Sequence, residues 1–289
     1  MDFSLRVLDF GTIFVSSYQT TCYMKRLLQI LVTFSIFLPS CEKNTIPVNN
    51  IPEGYPATYS KLSSGILTRM RSSYESRNPF VTSSLTDYGF TGYNGDPLGV
   101  GIPPYQGQTS QTEAEGIIRS FVKSNGLETG VKNPDALSFN QAFESPAQDG
   151  IAGWYFNTYN QKIDTIEVLN SSFSFQVING SVTFCLGNWF PDIYIPSDFN
   201  YSIEKAKKSL IGDVVSHSSI AGQISDITIK QADIDKSTTR LKILPQEIKN
   251  KIELHVCWEI NIPGPVYYLV YFDVITGEII LETPTIFSF

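Results

Sequence analysis

"FSFQVINGSVTFCLG", Phe173 to Gly187, decides what kind of chain this is. Phe173, Phe175 and Val177 alternate with Ser174 and Gln176, Asn179-Gly180 follows, and Val182, Phe184 and Leu186 alternate again. Side chains on a strand point to opposite faces with a period of two, so each run offers one apolar face to a core. Asn-Gly supplies the two positive-φ residues of a tight hairpin turn. The stretch reads as a β-hairpin, half buried, with Val182, Phe184 and Leu186 on the inner side of the return strand.

Upstream, "SQTEAEGIIRSFVKSNG" (110–126) changes period. Ala114, Ile117, Ile118, Phe121 and Val122 make a helical stripe, Thr112 and Glu115 have capping-box spacing, and Gly126 is placed as a helix stop. Downstream, "YSIEKAKKSLIGD" (201–213) repeats the pattern, with Ser202 as N-cap and Ile203, Ala206, Leu210 and Ile211 as the stripe. Strand-like runs follow: "ISDITIKQA", "TTRLKIL", "IELHVCWEINI" and "VYYLVYFDVITGEII". The order helix, strands, helix, strands predicts an α+β fold of two related units, each a helix packed on an antiparallel sheet. Val256 and Trp258 are placed on the strand face toward Ala206 and Leu210.

The 289 residues are 42% hydrophobic and 17% charged, enough to bury a sizeable core. The net charge of -7, with no Lys/Arg-rich run, argues against nucleic acid as a partner. "MKRLLQILVTFSIFLPSC", Met24 to Cys41, sets a short apolar stretch behind Lys25 and Arg26. That is the layout of a secretory signal, and it is shorter than the roughly 20 residues a membrane helix needs. Met24 is the natural start, so residues 1–23 read as an over-extended N-terminus and 24–40 as the signal. Residues 41–110 read as a tether and loop-rich segment, broken by a helical spacing at Leu62, Ile66, Leu67 and Met70. The two units then take 111–200 and 201–289.

Three resemblances add to this. "LPSC" resembles the lipobox of bacterial lipoproteins, which implies acylation of Cys41 and a lipid anchor in the cell envelope, with the outer membrane as the expected side. The segment 112–195 resembles the FTP domain, a propeptide module of fungalysin- and thermolysin-type metallopeptidases, through "EAEGIIRSFVKSNG", "YNQKIDTIEV", the hairpin and "GNWFPDI". It departs from that family at Lys162, which stands in a glycine place, and at the inserted Asp164-Thr165. The segment 201–284 resembles PepSY through "SIEKAKKSL", "LHVCWEI" and "YLVYFDVITGEII". In those peptidases the propeptide assists folding of a catalytic domain and inhibits it. This chain ends at Phe289, directly after the PepSY-like segment. The resemblance therefore implies a non-catalytic envelope lipoprotein that binds a polypeptide partner, as a peptidase inhibitor or folding modulator. The alternative is a cell-surface adhesion or glycan-binding lipoprotein.

The search for chemistry points the same way. The chain has two histidines, His217 and His255, and no H-E-x-x-H or G-x-S-x-G. "GVGIPPYQG" sets Pro103-Pro104 where a phosphate-binding loop needs a helix, and "QADIDKSTTR" lacks the Gly and Glu of an EF-hand. No metal and no cofactor is expected. His255 and Cys257 share a strand face, which reads as coincidence of pattern. Cys185 and Cys257 can pair in an oxidising envelope or remain two half-buried thiols. Asp273, Thr276, Gly277 and Glu278 bracket a turn, with Asp273 bonding the backbone just ahead and Gly277 taking positive φ. They read as turn-forming, not as a catalytic pair. The aromatics from Tyr267 to Phe272 are candidates for an interface, with at least half of them expected in the core.

Overall fold

The computed structural model of the chain describes residues 51–92, 103–104, 107–148, 151–218 and 224–284. Cys41, the signal and most of the stretch 93–106 lie outside the described residues. The described chain runs β1 (Ala57–Ser60), α1 (Ser64–Arg77), β2 (Ser84–Leu85), β3 (Thr91–Gly92), α2 (Gln111–Ser124), α3 (Gly126–Thr129) and a 3-10 turn (Pro134–Ala136). Strands β4 (Phe139–Gln148), β5 (Ile151–Thr158), β6 (Lys162–Ile163), β7 (Ile166–Val168), β8 (Phe173–Ile178) and β9 (Ser181–Gly187) follow. After α4 (Ile203–Ser209) come β10 (Val214–Ser218), β11 (Ile224–Thr228), α5 (Gln231–Ile234), β12 (Thr238–Ile248), β13 (Lys251–Ile262), β14 (Tyr268–Asp273) and β15 (Ile279–Pro284). The fold is α+β, with helices packed against largely antiparallel sheets.

The hairpin forms at β8 and β9. Asn179 and Gly180 take φ of 49° and 74°, and Ile178 faces Ser181 across the turn. Phe173, Phe175 and Val177 are buried, while Ser174 and Gln176 face outward. The return strand departs from the expected alternation. Val177 pairs with Val182 but Gln176 pairs with Phe184, so Thr183 is an extra residue in the ladder. Beyond this bulge the faces exchange: Cys185 enters the core, and Phe184 and Leu186 turn out to half-exposed positions.

β8 and β9 belong to a four-stranded sheet in the order β4-β5-β8-β9. Helix α2 lies on its inner face through Ala114, Ile118 and Val122, in one cluster with Phe156, Phe173, Phe175 and Val177. Helix α1 adds Leu67 and Tyr74 to the same core. The capping box of α2 sits two residues upstream of the expected one. The Ser110 hydroxyl accepts from the Glu113 N–H, and the Glu113 carboxylate accepts from the Ser110 N–H at 2.8 Å. Gly126 does not stop the helical path; it opens α3, and Gly130 at φ 74° ends it. Ser110→Ala should therefore lower stability by about 1 kcal/mol. Thr112→Ala should leave it within about 0.5 kcal/mol. Urea unfolding midpoints of the two variants check this.

The second sheet has seven strands, in the order β15-β14-β13-β12-β7-β6 with β1 also pairing β13. Two of its members fall outside the expected limits. Residues 57–60, read as tether, form β1 and pair with Lys251 to Leu254. β6 and β7, placed by sequence in the 111–200 unit, pair through β7 with β12 of the 201–289 unit, in parallel. The boundary near residue 200 therefore does not separate the sheets. The physical reason is local: three residues of β7 cannot stand alone as a ribbon, and β12 offers them a free edge.

Helix α4 is capped by Ser202, whose side chain accepts from the Lys205 N–H. Ala206 and Leu210 pack on Ile260, Ile262, Val270 and Phe272. The strand parity is as expected, since Leu254, Val256, Trp258, Ile260 and Ile262 share one face of β13. Their neighbours differ along the strand. Val256 joins Tyr55, Phe90, Phe190 and Ile243 instead of α4. Trp258 lies between the two clusters, half buried, with its indole N–H donating to the Tyr201 carbonyl at 2.9 Å. Tyr268, Tyr271 and Phe272 are buried, so the aromatics of β14 serve the interior and not an interface.

Candidate functional site

The turn after β14 closes as its residues dictate. Asp273 Oδ1 accepts from the backbone N–H of Ile275 at 2.7 Å and of Thr276 at 2.9 Å. The Gly277 N–H donates to the Asp273 carbonyl, and the Asp273 N–H to the Glu278 carbonyl. Gly277 has φ 74°, and a Cβ there would meet the Tyr201 ring at 2.6 Å. The Thr276 hydroxyl accepts from the Glu278 N–H at 3.2 Å. Glu278 points to solvent while Asp273 is fully buried. The two carboxylates share a turn and not a site.

Asp273 has partners that its local sequence does not announce. Its Oδ2 accepts from the Tyr55 hydroxyl at 2.7 Å and from His255 Nδ1 at 2.8 Å. His255 Nε2 lies 3.3 Å from Glu253 Oε2. The Tyr55 hydroxyl in turn accepts from the Val256 N–H at 3.0 Å. Burial opposes ionisation of Asp273, but the hydrogen bonds from His255, Thr276, Tyr55 and Ile275 outweigh it and hold the carboxyl below its ordinary value. Burial, then the Asp273 charge, pushes the Tyr55 phenol far up. This is a saturated and sealed network that ties β1, β13 and β14 together.

Cys185 and Cys257 are free, buried thiols in separate clusters, Cys185 with the four-stranded sheet and Cys257 with Leu244 and Tyr271. Burial pushes the Cys185 thiol up to about 12, and burial with the Asp273 charge pushes Cys257 well above its usual range. Between the two open readings, the structure has the thiols and no disulfide. Among the described residues no three His, Cys, Asp or Glu side chains converge as a metal site. His217 lies on β10. Among the described residues no helix is long and apolar enough to cross a membrane.

What remains open is the outer parts of the sheets. β15 pairs with β14 and with no other described strand, and exposes Ile279 and Leu281. β12 pairs with β7 only at Lys242 and Ile243. Its residues Thr238 to Arg240 pair with β13 alone among the described residues. Beside them lies a cleft of about 470 Å3 lined by Lys162, Thr165, Glu167, Arg240, Leu241 and Lys242. Lys242, its side chain 9% exposed, is ion-paired with Glu167, whose other oxygen accepts from Asn160 at 2.6 Å. Lys242 first, and then Asn160, hold the Glu167 carboxyl below its ordinary range.

No family model matches the chain, and no curated protein does. Among solved structures the chain is similar to the Bacillus megaterium YpeB C-terminal domain, at 14% identity and a TM-score of 0.29. The similarity spans 78% of this chain and 99% of that one. A likeness of that size assigns neither a fold family nor a function.

Proposed function

We propose that this chain is a non-catalytic envelope protein that binds a polypeptide partner, anchored through a lipid on Cys41. It acts as a peptidase inhibitor or folding modulator in the manner that its FTP-like and PepSY-like segments imply. The observation that carries the reading is open strand edge: among the described residues β15 pairs with β14 alone, and β12 from Thr238 to Arg240 pairs with β13 alone. An unpaired edge offers alternating N–H and C=O groups to an extended segment, which adds as a further strand. The groups with acid–base character support the same reading. Asp273 and Cys257 are fully buried, His255 nearly so, and the carboxylate is saturated by hydrogen bonds. A general acid or base must reach its substrate, and these do not.

A second reading, glycan adhesion, has one specific observation in its favour. On the outer face of the four-stranded sheet, exposed Phe143 stacks on Tyr155 with ring centres 5.3 Å apart. Beside them Gln141, Asn157 and Ser174 form a row of polar groups linked by hydrogen bonds.

One experiment separates the readings. The immobilised full chain is exposed to a pool of random-sequence peptides, and retained and released species are read by mass spectrometry. Retention of intact peptides is expected. Cleaved products that disappear with chelator would overturn the non-catalytic claim. No retained peptide, with saturable binding on a glycan array, would transfer the assignment to adhesion.

A further inference from the structure

We infer that the cleft between the β6–β7 hairpin and the first residues of β12 is a docking site for an acidic, extended peptide segment. The segment adds to the free edge of β12 and sets a carboxylate against Arg240 and Lys162. This rests on the polypeptide-binding reading and names the partner's chemistry.

The backbone supplies the first part. β7 runs parallel to β12 through Glu167↔Lys242 and Val168↔Ile243, and β6 precedes it as the other arm of a hairpin that turns at Asp164-Thr165. Asp164 takes φ 53° in that turn. The hairpin is thus too short to cover β12 as far as its start at Thr238. A strand entering there continues the ladder that β7 leaves unfinished.

Charge supplies the second part. Lys162, Glu167 and Lys242 stand in register across three strands, hence on one face, and Arg240 is two residues from Lys242 on that same face. Lys242 and Glu167 neutralise each other. Lys162 and Arg240 are exposed; each stands opposite a carboxylate in the ladder, Lys162 across from Glu167 and Arg240 across from Glu259, without closing an ion pair on it. With Lys242, these two exposed cations give the cleft's lining three positive charges against the one negative charge of Glu167, in a chain of net charge -7. Most of such a surface repels an acidic segment, and this cleft attracts it, which gives both orientation and selectivity. The carboxylate fits the guanidinium as a two-point acceptor.

The test uses the full chain and three labelled peptides of equal length, alternating Val with Glu, Val with Gln and Val with Lys, read by fluorescence anisotropy. The Val–Glu peptide should bind about two- to fivefold more tightly than Val–Gln, the range of a partly exposed ion pair, and the preference should shrink as salt rises. Arg240→Glu should abolish the preference. Lys162→Glu, on the opposite wall of the cleft, should do the same, so that a folding defect in either variant does not decide the matter. Equal binding of Val–Glu and Val–Gln, unmoved by either variant, would overturn the cleft assignment and leave polypeptide binding standing. Failure to bind any of the three would overturn both. Saturable binding of inorganic phosphate that displaces the Val–Glu peptide while leaving Val–Gln bound would reassign the cleft to free anions and overturn the proposal.

Discussion

Asp273→Ala should lower the unfolding free energy by about 3–5 kcal/mol, as expected when one partner of a buried, charged hydrogen-bond network is removed. The side chain is fully buried and accepts from Tyr55, His255 and the N–H groups of Ile275 and Thr276. Removing it strands all four donors where water does not replace the carboxylate. Tyr55→Phe removes one donor and should cost less, about 1–2 kcal/mol. Acidification should reproduce part of the loss. The Asp273 carboxyl titrates below its ordinary value in the folded chain. The unfolded state therefore takes up the proton first as pH falls. The stability from this group is present above about pH 4 and disappears as pH drops through the folded value. Asp273→Asn should flatten that acid limb. Urea unfolding at stepped pH reads both effects, and a loss near or below about 1 kcal/mol for Asp273→Ala would mean the network contributes little.

The second large effect lies in the four-stranded sheet. Phe175→Ala should cost about 3–5 kcal/mol, the range for a buried aromatic whose cavity is not refilled. Phe175 is 1% exposed and packs with Phe173 at 5.3 Å between ring centres, under α2. Phe143→Ala, on the outer face of the same sheet and 51% exposed, should cost below about 1 kcal/mol. Similar losses for both would mean that the outer face is covered and that the sheet's parity is wrong.

The fold was legible wherever the determining contacts are local. Asn179-Gly180 announces its turn because positive φ is a property of those two residues, and the α2 and α4 stripes announce their cores by spacing. Asp273 and Gly277 announce their turn for the same reason. Legibility ended where a single residue shifts register or where partners are distant. Nothing in "SVTFCLG" marks Thr183 as the bulge that turns Phe184 out and Cys185 in. The spacing of Thr112 and Glu115 is shared by Ser110 and Glu113, and only the chain entering the helix chooses between them. Tyr55 lies 218 positions from Asp273 in sequence, inside a stretch whose Pro and Asn content resembles a tether. Sequence order sets β6 and β7 beside their neighbours in the 111–200 unit, but the free edge of β12 draws them into the other sheet. The network around Asp273 had one sequence signal: His255 and Cys257 alternate on a strand that alignment with "VYYLVYFD" sets beside Asp273.

A polypeptide that adds to a sheet edge of this chain leaves its mark on the edge amides. Hydrogen exchange of the full chain, alone and saturated with the Val–Glu peptide, tests it most directly. Slowed exchange confined to Thr238–Leu241 and the neighbouring β6–β7 hairpin is the predicted result, because new main-chain hydrogen bonds protect the amides that form them. Unchanged exchange along β12 and β15, with protection instead on the outer face of β4 and β5 around Phe143 and Tyr155, would contradict it.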